Sequence, residues 1–148
     1  MIHASVSIDT TNFDRMMSDI PNALARARQK ALRYIGQAVA SRTTRAFRNA
    51  SLRPSPWAPR KDTKAKHPLL IKSGSLRQSF AWRVTGPDAV QIGTDRAYAS
   101  YHQQGTKKMP ARPFYPVDRN GNLVQDMKDK IDRNLERIYM EELEKTGG

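Results

Sequence analysis

Cysteine is absent from the chain, so neither disulfides nor thiolate-bound metals can hold it together. No apolar run approaches the roughly 18 residues that a membrane-crossing helix needs, and Met1 leads into an alternating segment rather than a signal peptide. A soluble protein matured in a reducing cytoplasm is expected. Acidic residues are scarce where bases are dense: residues 26–77 carry fourteen Lys or Arg against the single acid Asp62, while the whole chain is at +12. Such a block attracts anionic partners, either nucleic acid or an acidic protein surface, and a merely solvated basic face has the same composition.

Catalytic patterns are missing too. There is no G-x-S-x-G, P-loop or dinucleotide glycine pattern. His3, His67 and His102 are scattered, without a second ligand at helical spacing, so no metal site is expected. Asp126, Asp129 and Asp132 come closest to a carboxylate cluster, and ion pairs on a solvated helix face account for them better, Asp126 with Lys130 and Asp129 with Arg133. No catalytic residue, cofactor site or metal site is assigned, and the protein is read as a non-enzyme.

At 148 residues the chain is long enough for one domain, spanning 1–148, that buries about two thirds of its unfolded surface. Ile2, Ala4, Val6 and Ile8 alternate with polar residues, the period of a strand. Thr10 or Thr11 can cap a short helical lead-in from Phe13. Pro21 suits a first turn, and the stripe through Leu24, Ala27, Ala31, Ile35 and Ala38 predicts a long helix from about 21 to about 49. Arg42 falls inside that apolar sector and Arg45 at its margin. Either the last turns project beyond the core or meet another subunit, or the helix ends earlier.

The stretch 51–72 reads as a long basic loop, with Arg53, Arg60, Lys61, Lys64 and Lys66 around one anchor, Trp57. Ser73 and Ser75 can cap a single helical turn. Phe80, Trp82 and Val84 then share one face of a strand, "GPD" turns, and "AVQIGT" returns. "AYASYHQQG" at 97–105 predicts a short helix or a turn closed by Gly105. Pro110, Pro113 and Pro116 repeat at the three-residue period of polyproline II, which predicts an extended segment at a sheet edge or over the surface, held by Phe114 and Tyr115. Asn122 and Gln125 have capping-box spacing ahead of a second amphipathic helix through Leu123, Met127, Ile131, Leu135, Ile138 and Tyr139. The fold expected is α+β: a long N-terminal helix and a C-terminal helix packed on a small antiparallel sheet, with a long basic loop.

Two blocks carry a resemblance. Trp57, Arg60, Leu70, Ser73, Gly74, Leu76 and Ser79 follow a W-x-x-(R/K) loop leading to an L-x-x-(S/T)-G-x-L-x-x-S turn. Gly93, Thr94, Tyr98, Ala99, His102, Gln103, Gly105, Pro110, Arg112, Pro113 and Phe114 follow a G-T-x-x-x-Y-A-x-x-H-Q-x-G block and a P-x-R-P-F block. Together they resemble the tailed-phage virion morphogenesis or tail completion family, which includes minor tail proteins of the lambda and Mu type. Gln104 and Tyr115-Pro116 depart from the family's usual apolar and Leu-Gly residues without disturbing the spacing.

The resemblance implies a structural protein of the virion neck, assembled in the host cytoplasm, whose copies form a ring, sixfold by association with tail tubes. It implies as partners the tail tube or tail terminator protein and the head-tail connector or stopper, with DNA in transit as a further contact and no membrane. Trp57, Tyr98, His102, Gln103, Arg112, Pro113 and Phe114 are candidates for an interface or for an internal clamp. Arg42, Arg45, Arg53, Arg60, Lys61, Lys64 and Lys66 are candidates for partner binding. A basic nucleic-acid-binding accessory protein is the alternative.

Overall fold

The computed structural model describes residues 4–9, 21–61, 64, 69–70 and 74–146. The expected lead-in from Phe13, its Thr10 or Thr11 cap, and Ser73, Lys66 and His67 lie outside these residues. In chain order the elements are β1 (Ala4–Asp9), α1 (Pro21–Ala46), β2 (Ala81–Gly86), β3 (Ala89–Thr94), α2 (Ala99–Gln104) and α3 (Gln125–Thr146), with a 3-10 turn at Ala50–Leu52. The arrangement is α+β.

The sheet is antiparallel, with order β1-β3-β2, so the N-terminal strand joins the hairpin and makes β3 central. Ile8 stands opposite Val90 and Val6 opposite Ile92, while Trp82 faces Ile92 from the other side. Val90 and Ile92 are fully buried because α1 covers that face. The helix comes unusually close at Gly36, where a Cβ would lie 2.5 Å from Trp82 Cδ2 and Cε3. The indole therefore lies directly on helix backbone, and a glycine in mid-helix is kept for contact rather than for flexibility.

α1 and α3 pack on one another. The apolar stripe of α1 runs through Leu24, Ala27, Ala31, Ile35 and Val39, and that of α3 through Met127, Ile131, Leu135, Ile138 and Tyr139. Burial of each large side chain contributes about 1.5–3 kcal/mol. Both stripes also carry a charge. Arg42 is 7% exposed, and its Nη1 donates to Asp126 Oδ2 at 2.6 Å while Nε donates to the Leu52 carbonyl at 3.2 Å. Glu142, 1% exposed, accepts from Arg26 Nε at 3.1 Å, from Lys145 Nζ at 3.1 Å and from Lys30 Nζ. Arg26 and Arg42 are sixteen positions apart, as are Asp126 and Glu142, so ion pairs close both ends of an antiparallel helix pair in matching register.

Four expectations change here. α1 neither projects beyond the core nor stops short of Arg42; it ends at Ala46, and Arg42 is turned inward because α3 offers a carboxylate at that level. Asp126 thus pairs with Arg42 rather than Lys130. The Asn122–Gln125 capping box does not form: Asn122 N–H donates to Asp118 Oδ1 within a turn, and Gln125 reaches forward to Asp129 Oδ1 at 2.8 Å. That last bond takes the place of the expected Asp129–Arg133 pair.

Hydrogen bonds from Lys30, Lys145 and Arg26 hold the Glu142 carboxyl down at about 2, against an ordinary 4.5. A lowered folded-state value contributes stability above the unfolded value, and that contribution disappears as pH falls through the folded one. Stability should fall between about pH 4.5 and 2. Glu142→Gln should be less stable at pH 7 and lose less on acidification over that window, measured by urea titration; equal acid slopes for the two proteins would refute the assignment. For Gly36→Ala, helix propensity favours alanine by about 1 kcal/mol, whereas overlap with the indole costs about 1–3 kcal/mol. Net destabilisation is expected, turning into stabilisation in a Trp82→Leu background; thermal melts of the four proteins test this.

Candidate functional site

The block from Tyr98 to Tyr115 folds back against the loop after α1. α2 is anchored by Ala99, which is fully buried, and stops at Gly105, whose φ of 76° suits glycine. A Cβ there would meet the Ala111 nitrogen at 2.7 Å, so the returning chain passes hard against the helix end. Thr106 and Met109 exchange backbone bonds to make the turn.

Prolines at 110, 113 and 116 leave this returning strand few N–H groups, and those at 112, 114 and 115 are matched one by one. Arg112 N–H donates to the His102 carbonyl at 2.6 Å, and Gln103 Oε1 accepts from Phe114 N–H at 2.8 Å and Tyr115 N–H at 3.2 Å. One amide side chain thus does what a neighbouring strand would do. The segment belongs to no sheet edge. Nor does it stay on the surface: Pro110 is exposed and Pro113 half-buried, but Phe114, Tyr115 and Pro116 are buried.

The basic loop and this segment grip each other in both directions. Trp57 Nε1–H donates to the Pro113 carbonyl at 2.7 Å, while Arg112 donates from Nε to the Ala58 carbonyl and from Nη2 to the Pro59 carbonyl, each at 3.0 Å. Behind the latch, Phe47, Phe80, Phe114 and Tyr115 make a ring cluster with centroids 4.9–5.9 Å apart, and Trp57 meets Phe47 edge-on at 5.8 Å. Arg53 lies on the outer face of the indole, 3.6 Å from the ring centre, and donates to the Ala46 and Phe47 carbonyls at the end of α1. It caps a helix and sandwiches Trp57 in one placement.

His102 packs edge-on with Tyr98 at 6.0 Å, and its Nδ1 is buried without a partner among the described residues. Burial and the Arg112 charge lower its proton affinity, so the ring is neutral at pH 7. Burial likewise raises the Tyr115 phenol. No group of three His, Cys, Asp or Glu able to hold a metal occurs among the described residues. The hydrogen bonds given by Trp57, Arg53 and Arg112 end on backbone carbonyls, so the arrangement fixes loop geometry.

The sequence candidates therefore divide. Trp57, Gln103, Arg112, Pro113 and Phe114 come together, with Tyr98 and His102 bracing the helix beside them. Arg42 and Arg53, expected to face partners, are turned inward, the first by Asp126 and the second by the helix end and the indole. Arg45, Lys61 and Lys64 are exposed and Arg60 is half-buried, while Lys66 lies outside the described residues. Phe47 and Phe80 were not singled out as site residues, although their aromatic character beside Trp57 was visible. Glu142 was also missed; its signal was a carboxylate on the apolar stripe, three residues beyond Tyr139.

The sequence model described as the phage virion morphogenesis family matches residues 8–136. The chain belongs to that family. A relative is the Mu-like prophage FluMu G protein 1 of Haemophilus influenzae, 33% identical over 69 residues, which are 47% of this chain and 42% of the relative. The match thus spans about two fifths of that relative's length. No solved structure matches. Membership of the family gives the protein a structural or assembly role in forming the phage particle. No described helix is long and apolar enough to cross a membrane.

Trp57→Phe keeps an aromatic ring at this seat but removes the indole N–H, leaving the Pro113 carbonyl unpaired, a loss of about 1–3 kcal/mol. Arg112→Lys cannot reach two carbonyls with one planar fork and should cost about as much. Because both residues close the same latch, the double variant should lose less than the sum in denaturant titrations. Additive losses would mean two independent contacts.

Proposed function

We propose that this protein works at the head-tail junction, where copies form a ring that completes the tail and docks on the tail tube and the connector. What supports the reading most directly is the latch. The residues that match the family pattern hold one another, and the basic loop they hold is fastened at Trp57, Ala58 and Pro59 instead of trailing freely. Fixing a loop in advance lowers the entropy lost on docking, which is the expected arrangement where rigid subunits must mate in one orientation. Lys61 and Lys64 follow immediately on its exposed limb and give it a positive surface. Acidic neighbours in the particle are the matching partners.

The test is complementation of a phage lacking the protein by a Lys61→Glu, Lys64→Glu variant whose melting is unchanged. Full heads and separate tails should accumulate, seen by electron microscopy, with wild-type protein restoring joined particles. Joined particles in the absence of the protein would overturn the proposal. If purified protein binds duplex DNA with an affinity that falls steeply with salt while joining proceeds normally, the nucleic-acid-binding alternative takes its place.

A further inference from the structure

Among the described residues four large apolar side chains are exposed, and three of them fall in two patches of opposite charge. Tyr98 is 41% and Tyr101 55% exposed, at the start of α2 and one turn along it. They are flanked by exposed Arg96, Lys107 and Lys108. Met140, 46% exposed, continues a stripe on α3 formed by exposed Asp129, Asp132 and Glu136, at spacings of three, four and four, with exposed Arg133 at its margin. Asp95 lies 3.8 Å from Arg96 and Gln125 donates to Asp129, but Lys107, Lys108, Asp132 and Glu136 form no ion pair among the described residues. The two patches are thus unsatisfied in the same way and with opposite sign, one aromatic and basic, the other acidic with a polarisable thioether.

We infer that the Tyr98–Tyr101 patch of one copy receives the Asp132–Glu136–Met140 stripe of the next. The inference rests on the ring reading above and assigns its subunit contact. The occupant is a second copy of this chain because both complementary surfaces belong to it. The tyrosines offer large faces with little rotamer entropy, methionine makes favourable contact with aromatic rings, and the lysines meet the carboxylates at the rim. Two different patches make the contact heterologous: each copy keeps one open surface after pairing, so the chain of contacts continues until it closes as a ring.

Two full-length variants test this. One carries Tyr101→Ala, Lys107→Ser and Lys108→Ser; the other carries Asp132→Lys, Glu136→Lys and Met140→Ala, so that the two altered faces have no opposite charges to pair. All six positions are exposed, and circular dichroism melting should match wild type. In analytical ultracentrifugation the wild type should form assemblies beyond a dimer as concentration rises, weakening at least about tenfold when salt increases from about 0.1 to 0.5 M. Each variant alone should stay monomeric. Their equimolar mixture should form dimers and nothing larger, since each pair retains one intact contact between two blocked ends. A wild type that remains monomeric at about millimolar concentration, variants that assemble as wild type does, or a mixture that stays monomeric would each overturn the inference. Dependence of head-tail joining on the protein, with both variants assembling normally, would remove this contact and leave the junction reading standing. Assembly through these patches with joining unaffected by loss of the protein would do the reverse.

Discussion

A strand with proline at every third position cannot enter a protein interior unless its remaining N–H groups find acceptors outside any sheet. Here they do: the His102 carbonyl and the Gln103 side chain supply them, and this lets Phe114 and Tyr115 reach the core. The rest of the arrangement follows from that entry. Phe114 completes the ring cluster with Phe47 and Phe80, the cluster gives Trp57 an apolar seat, and Trp57 and Arg112 then tie the basic loop to the strand that placed them. Gly105 is the geometric condition, since any side chain there would push the returning strand off the helix end.

Charge is divided between two tasks. Arg42 and Glu142 sit on the buried stripes of α1 and α3 and set the register of the helix pair, each balanced by partners on the opposite helix. Buried ion pairs add little net stability compared with apolar contacts, and their clearest use is to make one alignment preferable to others. Arg33, Arg45, Arg48 and Lys61, by contrast, are exposed along α1 and the loop. The internal charges thus fix the shape of a subunit whose family role is structural or assembly work in forming the phage particle.

The N-terminal strand at Ala4–Asp9, the stripes of both long helices, the "GPD" hairpin and the short helix closed by glycine could all be read from local pattern. Each depends on a periodicity of two or of three to four residues that a single segment displays by itself. The two matched blocks likewise identified which residues belong together, because order and spacing are properties of the chain. Where each side chain points was not legible. Arg42 looked outward-bound because a cation in an apolar sector has no local explanation, and only α3, eighty-four positions later, brings the carboxylate that accounts for it. The Asn122–Gln125 spacing failed for a similar reason: Asp118 competes for the same N–H.

By itself the sequence determined the strands of the hairpin, the two long helices with their apolar stripes, the absence of thiol chemistry and the family. Tertiary structure alone decided that Trp57 bonds to the Pro113 carbonyl and Arg112 to those of Ala58 and Pro59, that Glu142 gathers three cations, and that Arg53 caps a helix while covering an indole. Those outcomes depend on backbone carbonyls and on residues distant in the chain. Carbonyls carry no sequence signature, and separation along the chain does not encode distance in space until the core has closed.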